Sequence, residues 1–247
     1  MLSVLQSKPK LQLEPYPHVI INNALPEKLY DQLEKEWPAE QLLATTPYDD
    51  GICYRLKADE MLKPNIVSNI WKEFTEYHTS KDFYFEVCNL FEGFIKDKDA
   101  TLGPRGWASK DTTVWTDCQT VMHEPITHTS RTPHIDNPRE MYAGLLYMPY
   151  KNDSATGGDF QIYRAKKSIT KVDMIKGRHI FEEDLGNVEI TVPYKKNTFV
   201  MFANTTPNAI HGVTPRINAS MHRRSVNIIA EYSRRSNKSM YNITEIK

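Results

Sequence analysis

Arg131-Thr-Pro-His134-Ile-Asp136-Asn-Pro is the stretch that decides the fold of this chain, because it holds two metal-binding side chains two positions apart. Alternate residues of a β-strand point to the same side, so His134 and Asp136 can face one metal ion while Ile135 turns into the opposite layer. A further histidine, His211, follows far downstream. It reaches the same ion only if a distant strand returns beside the first, as in a β-sandwich or a β-barrel.

These three side chains are the residue set of a 2-His-1-carboxylate iron site. Three ligands on one face of the metal leave other positions open for a co-substrate and for oxygen, as in non-heme Fe(II) oxygenases. The His-X-Asp pair alone is a weak signal, since it often arises by chance. The prediction of a metal site therefore depends on the rest of the chain.

Composition favours one intracellular domain. The length of 247 residues is compatible with a single β-rich domain. Lys plus Arg and Asp plus Glu both total 31, so no net basic field would attract nucleic acid. We find neither a signal peptide nor an apolar stretch long enough to cross a bilayer, and expect a cytoplasmic protein without a membrane or nucleic-acid partner. The oligomeric state stays open. We expect free thiols at Cys53, Cys88 and Cys118.

Helices precede strands along the chain, which is typical of an α+β layout. After a strand at 17–23, the pattern predicts helices over 26–36 and 60–78 and a third helix that Ser80 caps. Residues 164–186 are polar, and we interpret them as a solvated insertion. The predicted later strands are 112–122, 141–148, 159–163, 188–192, 198–203, 209–213 and 223–232.

The order of the motifs resembles that of the 2-oxoglutarate and Fe(II)-dependent dioxygenases, and specifically their prolyl-4-hydroxylase-like branch. The resemblance covers most of the chain, weakly between residues 40 and 110 and strongly from Arg131 onward. The motifs that carry it are His134-Ile-Asp136-Asn-Pro, Leu145-Leu-Tyr147-Met-Pro, Gly157-Gly-Asp-Phe, His211-Gly-Val-Thr-Pro and Arg223-Arg-Ser225.

The resemblance implies an α+β fold whose centre is a double-stranded β-helix, a cupin-like jelly roll buttressed by N-terminal helices. One domain would span residues 1–247, with helical support at about 24–100 and the β-helix at about 110–235. His134, Asp136 and His211 match the ligands of Fe(II), with 2-oxoglutarate as co-substrate and O2 as oxidant. The implied reaction is hydroxylation of an unactivated C–H bond in a small-molecule or peptidyl substrate, such as a prolyl group or an amino acid, with succinate and CO2 as co-products.

The family also needs a basic residue on a late strand, which pairs with the far carboxylate of 2-oxoglutarate. Arg223 and Arg224 are the candidates, and strand alternation lets only one of them face the site. The basic-X-Ser pattern favours Arg223, with Ser225 on the same face. Tyr147 matches a tyrosine that reaches this carboxylate in some members, although it is equally well explained as a core residue. Arg216 follows Pro215 in what resembles a turn, so we expect it at the surface.

Other assignments stay open at this point. Asn137 and Arg139 follow Asp136 closely and are candidates for substrate contact. His123 and His128 either line the substrate entrance or are ordinary loop histidines. One rival is a cupin-type metal dioxygenase or isomerase without 2-oxoglutarate, which usually carries an additional histidine near the first. The other is a non-catalytic β-sandwich that binds a ligand, which the fold alone permits.

Overall fold

The computed structural model describes residues 2–48, 51–95, 113–125, 131–137, 139–167, 169, 178–204, 208–233 and 241–242. Its helices are α1 (Glu27–Lys35), α2 (Ala58–Met61), α3 (Asn69–His78) and α4 (Lys81–Leu90), with a 3-10 turn at Glu40–Leu42. Its strands are β1 (His18–Asn22), β2 (Ala44–Tyr48), β3 (Gly51–Leu56), β4 (Thr113–His123), β5 (Arg131–His134), β6 (Glu140–Tyr147), β7 (Thr156–Gly157), β8 (Phe160–Ala165), β9 (Leu185–Val192), β10 (Thr198–Ala203), β11 (His211–Val213), β12 (Arg216–Ile217), β13 (Arg223–Ser233) and β14 (Tyr241–Asn242). None of the helices described is long and apolar enough to span a bilayer.

Two antiparallel sheets form a jelly roll. The large sheet has the order β1-β10-β6-β13-β4-β3-β2, with β14 paired to β4, and the small sheet has the order β5-β11-β8-β9. In the large sheet β6 lies between β10 and β13, and in the small sheet β11 lies between β5 and β8, so strands from distant parts of the chain adjoin as in a double-stranded β-helix. β7 and β12 pair in a separate two-stranded sheet. The α+β double-stranded β-helix that the sequence predicts is therefore confirmed.

Strand alternation divides the interior into two layers, as β13 shows. Val226 and Ile228 pack into the core between the large sheet and the helices. Ile229 packs instead into the core between the two sheets, and Asn227 also faces that space. The N-terminal helices thus cover one face of the large sheet, and the other face is available to enclose a site.

The helical layer confirms two predictions and corrects a third. Pro26 precedes α1, and the Ser80 hydroxyl accepts a hydrogen bond of 3.3 Å from the Phe83 N–H at the start of α4. The predicted helix at 60–78 is wrong as one element, because it divides into α2 and α3. Pro64 disfavours helical geometry in the residue before it, and Asn65 adopts a positive φ of 62°, so the chain turns here. Trp71 and Phe74 of α3 and Phe83 and Tyr84 of α4 pack in the core, whereas Phe85 of α4 is exposed.

The predicted strands are present within a few residues, but short strands were missed. These are β2, β3, β7, β12 and β14. Of the predicted insertion at 164–186, residues 168 and 170–177 lie outside the described residues. In the described part Lys166 and Lys167 are exposed, but Ile169 and Ile180 are buried and pack in one cluster with Ile135. Ile135 therefore lies on the side away from the metal-binding side chains, as its position predicts.

Arg216 corrects another expectation, since it is buried and not at the surface. Only 1% of the residue is exposed, and its Nη2 donates hydrogen bonds of 2.6 and 2.7 Å to the two carboxylate oxygens of Asp153. The turn is buried because β12 pairs with β7, which brings Arg216 opposite Gly157. At Gly158, φ is +78° and an added Cβ would lie 2.7 Å from the Arg216 Cδ, so glycine is required.

A buried carboxylate, Asp117, joins the helical layer to β4. Its two oxygens accept hydrogen bonds of 2.9 Å from the Ala58 N–H and 3.0 Å from the Gln119 Nε2. Burial raises the pKa of Asp117 from 3.8 to about 6. Because the folded state holds this proton more tightly than the unfolded state, the contribution of Asp117 to stability is lost as the pH rises from about 4 to about 6.

We expect Asp117→Asn to remove this dependence on pH. Between pH 5 and pH 7, the free energy of unfolding of the wild type should fall relative to the variant by on the order of 1 kcal/mol. Urea unfolding at several pH values measures this difference. Asp31→Asn, at a half-exposed position on α1, is the control and should keep the wild-type dependence. Parallel pH profiles of the wild type and Asp117→Asn would contradict the prediction.

Candidate metal centre

Three candidate ligands meet between the sheets. His134 ends β5, and His211 begins β11 directly opposite it in the antiparallel register. Asp136 lies two residues beyond the strand end, and its Oδ1 and Oδ2 are 3.6 Å from the His134 Nε2 and 3.5 Å from the His211 Nε2, respectively. One ligand atom from each residue lies within 4.8 Å of the others. The structure thus brings together the three residues that the sequence singles out.

Backbone carbonyls orient both imidazoles. The Nδ1 of His134 lies 2.8 Å from the Thr132 carbonyl oxygen, and the Nδ1 of His211 lies 3.0 Å from the Ala209 carbonyl oxygen. A carbonyl can only accept, so each Nδ1 carries a proton, and each Nε2, on the side of Asp136, is the nitrogen available to a metal ion. Two imidazoles and one carboxylate are a donor set suited to Fe(II), and the residues present therefore fit such an ion.

Burial and neighbouring side chains set the protonation of His134 and Asp136. It lowers the pKa of His134 to about 3, with a further contribution from His211, so His134 stays neutral over the physiological range. Burial alone would raise the pKa of Asp136, but His211 and His134 reverse this effect and hold that pKa well below its usual range. His134 and Asp136 are therefore in the protonation states that metal binding requires.

Arg223 and Arg224 point to opposite sides of the large sheet. The Arg223 guanidinium lies in the same cavity as the three ligands, and its Nε donates a hydrogen bond of 2.9 Å to the Gly158 carbonyl. Its Nη2 is buried and has no hydrogen-bond acceptor in the part of the chain that the structure describes. Arg224 instead lies toward the helices. Its Nη2 is 3.6 Å from the Glu34 Oε1, and its Nε donates a hydrogen bond of 2.9 Å to the Met148 carbonyl. Arg223 is thus the member of the pair that can receive a carboxylate in the cavity.

Tyr147 and Ser225 lie beside Arg223. They face each other in the register of β6 and β13, and both are fully buried. The Tyr147 ring centre is 5.0 Å from the Arg223 Cζ, and its hydroxyl has no hydrogen-bond partner among the described residues. Burial raises the pKa of Tyr147, which the charge of Arg223 opposes in part, so the phenol stays protonated and can donate. Ser225 donates to Asn227 Oδ1 at 3.0 Å, so its hydroxyl is already engaged.

Asn137 and Arg139 are not among the described residues that line the cavity. The Asn137 Oδ1 accepts a hydrogen bond of 3.1 Å from the Arg139 N–H and closes a turn. The Arg139 guanidinium lies 3.9 Å from the Glu231 carboxylate. The structure therefore gives both residues contacts outside the cavity, where they help to shape the turn after Asp136.

The cavity has a volume of about 280 Å³, and it is lined by further polar residues besides the candidate ligands and Arg223. His123 lines it from the end of β4, so the interpretation as a loop histidine is wrong for this residue, while His128 lies outside the described residues. Arg55, Arg131 and Arg178 also line the cavity. The sequence around Arg55 contains a signal for a strand. Ile52, Tyr54 and Leu56 alternate with Cys53 and Arg55, as in a strand with one apolar face.

Two phenylalanines form the apolar wall of the site. The rings of Phe160 and Phe202 lie 5.3 and 4.6 Å from the His211 ring, measured between centres, and both residues line the cavity. Both side chains are almost fully buried. They restrict the access of water on the side of His211.

Comparison with known proteins gives a family match within the β-helix. Residues 119–230 match the model of a family described as the 2OG-Fe(II) oxygenase superfamily. The matched segment contains all three candidate ligands and Arg223. No curated protein sequence matches the chain significantly.

Solved structures show a weaker likeness. A prolyl-4-hydroxylase from Pseudomonas putida is 12% identical, with a TM-score of 0.43 and coverage of 96% of this chain and 100% of that one. An oxidoreductase of the 2OG-Fe(II) oxygenase family from Burkholderia pseudomallei is also 12% identical, with a TM-score of 0.48 and coverage of 89% and 86%. HygX from Streptomyces hygroscopicus, solved with nickel, 2-oxoglutarate and hygromycin B, is 8% identical, with a TM-score of 0.44 and coverage of 87% and 82%. We draw nothing about substrate from likenesses this low.

Proposed function

We propose that this chain is a member of the 2OG-Fe(II) oxygenase superfamily, whose family model matches residues 119–230, and that it hydroxylates an unactivated C–H bond of a small-molecule or peptidyl substrate. The chain is an Fe(II)- and 2-oxoglutarate-dependent oxygenase that uses O2. The observation that carries the proposal is the convergence of His134, Asp136 and His211 in one cavity with the buried guanidinium of Arg223.

In the proposed reaction each ligand has a defined task. His134 and His211 would hold Fe(II) through Nε2, and Asp136 would hold it through its carboxylate and supply a negative charge. The carbonyls of Thr132 and Ala209 fix the imidazoles, so that little rearrangement is needed when the metal binds. When bound, Fe(II) supplies the redox chemistry that couples the conversion of 2-oxoglutarate and O2 into succinate and CO2 to hydroxylation of the substrate.

Arg223 positions the co-substrate. Its unpartnered Nη2 and the nearby Tyr147 hydroxyl together offer donors for the far carboxylate of 2-oxoglutarate. The Gly158 carbonyl and the rings of Tyr147 and Tyr194 hold the guanidinium in place. Phe160 and Phe202 keep the opposite wall apolar, which strengthens these charged contacts by excluding water.

The test of this function is product analysis. The Fe(II)-loaded protein is incubated with 2-oxoglutarate, O2 and a library of amino acids, prolyl peptides and small metabolites. We expect one member to gain a single oxygen atom by mass spectrometry, with succinate formed in equal amount. Succinate formation that no library member stimulates, together with the absence of any oxygenated product, would contradict hydroxylation of these substrate classes.

A further inference from the structure

A tyrosine near the start of the chain reaches the backbone beside a candidate metal ligand. Tyr16 precedes β1, and its hydroxyl donates a hydrogen bond of 3.1 Å to the carbonyl oxygen of Ile210, the residue directly before His211. Resting on the proposed function, we infer that Tyr16 is a positioning residue that holds His211 in the orientation in which it binds Fe(II).

His211 takes the direction of its ring from the backbone that precedes it. Its Nδ1 donates a hydrogen bond of 3.0 Å to the Ala209 carbonyl oxygen. The Ile210 N–H donates a hydrogen bond of 2.8 Å to the Asn208 carbonyl oxygen, which turns the chain tightly just before β11. The peptide between Ile210 and His211 lies between the Ala209 carbonyl and the His211 side chain. A rotation of this peptide would therefore also rotate the imidazole.

Two donors from different directions hold this peptide. The Ile210 carbonyl oxygen accepts a hydrogen bond of 3.0 Å from the Tyr163 N–H as well as the one from the Tyr16 hydroxyl. A carbonyl oxygen has two lone pairs, so both are used. The Tyr163 N–H ties the peptide to β8 of the small sheet, whereas the Tyr16 hydroxyl ties it to the segment that leads into β1 of the large sheet. The peptide is thus fixed to both sheets.

The backbone of Tyr16 is itself fixed to the large sheet. Its carbonyl oxygen accepts a hydrogen bond of 2.8 Å from the His18 Nδ1. The Ala203 N–H donates to the Pro17 carbonyl oxygen at 3.1 Å, beside the pairing of β1 with β10. Gln12 and His18 exchange two backbone hydrogen bonds of 2.9 Å and close the segment into a loop. The brace between the sheets is therefore ordered before the metal binds, which reduces the entropy lost on binding.

Phe202 provides a second connection between Tyr16 and His211. The ring centres of Tyr16 and Phe202 are 5.9 Å apart in an edge-to-face contact, and those of Phe202 and His211 are 4.6 Å apart. Tyr16 and Phe202 belong to the same buried cluster between the sheets. The ring of Tyr16 supports the wall against which the imidazole packs, while its hydroxyl holds the backbone. The two parts of the side chain can therefore be tested separately.

The Tyr16 hydroxyl remains a hydrogen-bond donor over the physiological range of pH. Burial raises the pKa of Tyr16 well above its usual value, and the negative charge of Asp136 raises it further. A protonated phenol donates, and the Ile210 carbonyl can only accept. The direction of this hydrogen bond is therefore fixed.

Anaerobic equilibrium binding of Fe(II) to the full chain carrying Tyr16→Phe tests the inference. The substitution keeps the ring, and the Tyr163 N–H still satisfies the Ile210 carbonyl, so the protein should fold. Loss of one net hydrogen bond should weaken the binding of Fe(II) by about three- to tenfold. A direct partner of a metal ligand costs more, roughly 10- to 100-fold, because Tyr16 acts one step further from the metal. At saturating iron, the 2-oxoglutarate concentration that gives half of the visible absorption should be unchanged, since Arg223 keeps its contacts.

Thr116→Val is the matched control. The buried Thr116 hydroxyl donates a hydrogen bond of 2.8 Å to the Thr79 carbonyl oxygen and joins β4 to the end of α3, away from the metal centre. Thermal unfolding of the metal-free proteins should show a similar loss of stability in both variants, but Thr116→Val should keep the wild-type affinity for Fe(II).

The outcomes separate the inference from the proposed function. A wild type that bound no Fe(II), or gave no visible absorption with Fe(II) and 2-oxoglutarate, would overturn the proposed function itself. If the wild type gave both and Tyr16→Phe bound Fe(II) equally tightly, the inference alone would be overturned. The same holds if Thr116→Val weakened the binding of Fe(II) as much, or if Tyr16→Phe raised the requirement for 2-oxoglutarate as much as that for Fe(II).

Discussion

His134→Ala and Asp136→Ala should each abolish iron binding and 2-oxoglutarate turnover while the fold stays intact. Each of these residues supplies one of only three protein ligands in the proposed site. Loss of a partner outside the ligand set already costs roughly 10- to 100-fold in metal affinity or activity, and loss of a ligand itself should cost more. The fold should persist because β5 contributes only four residues to the small sheet, while the main cores are elsewhere.

Iron content after anaerobic reconstitution and succinate formation measure the effect, and near-ultraviolet circular dichroism reports on the fold. His222→Ala is the matched control, because His222 lies one position before Arg223 but packs against the Tyr54 ring, 5.5 Å away between centres. It should retain iron and turnover. An Asp136→Ala protein that binds iron as tightly as the wild type would remove Asp136 from the ligand set.

Arg223→Gln should raise the 2-oxoglutarate concentration for half-maximal turnover by about 100-fold, which corresponds to two charge-assisted hydrogen bonds of roughly 1.5 kcal/mol each. The reason is that the Arg223 Nη2 has no acceptor among the described residues, although it is buried in the cavity. Arg223→Lys should give an intermediate value, because an ammonium group keeps the charge and loses the two-pronged geometry.

Arg224→Gln is the matched control for Arg223→Gln. Arg224 is 3.6 Å from Glu34 and stacks on the Tyr150 ring at 3.8 Å, so its loss removes one of the partners of a partly buried carboxylate, which also pairs with Lys151. Its variant should therefore unfold at a lower temperature while its requirement for 2-oxoglutarate changes little. Kinetic titrations with 2-oxoglutarate and thermal unfolding separate the two effects. If Arg224→Gln raised the requirement more than Arg223→Gln, the assignment of the anchor would be reversed.

The β-helix was predictable from the sequence because its motifs contain metal-ligand residue types and show the alternation of side chains along a β-strand. His134 and His211 are ligand types far apart in sequence, and pairing β5 with β11 is a direct way to bring them together. The alternation of Arg223 and Arg224 is a local property of one strand, so their opposite directions follow from the sequence. Asp136 was expected on the strand of His134, but β5 ends at His134 and the carboxylate reaches the site from the segment that follows.

Features that depend on long-range packing were not predictable. The hairpin of β2 and β3 extends the large sheet, and only this position brings Arg55 into the cavity. Arg216 has the sequence context of a surface turn, and its burial results from the pairing of β12 with β7 and from Asp153, which is distant in sequence. The alternation around Arg55 indicates a strand, but nothing in the local pattern shows that Arg55 or Arg216 lies in the interior.

The most direct test of the metal centre is an anaerobic titration of the wild-type chain with Fe(II) and 2-oxoglutarate, followed by visible absorption. We expect a charge-transfer band that requires both additions, saturates at one iron per chain and is absent in Asp136→Ala. If the wild type gave no band, or if Asp136→Ala gave the same band, the assignment of His134, Asp136 and His211 as the iron ligands would be contradicted.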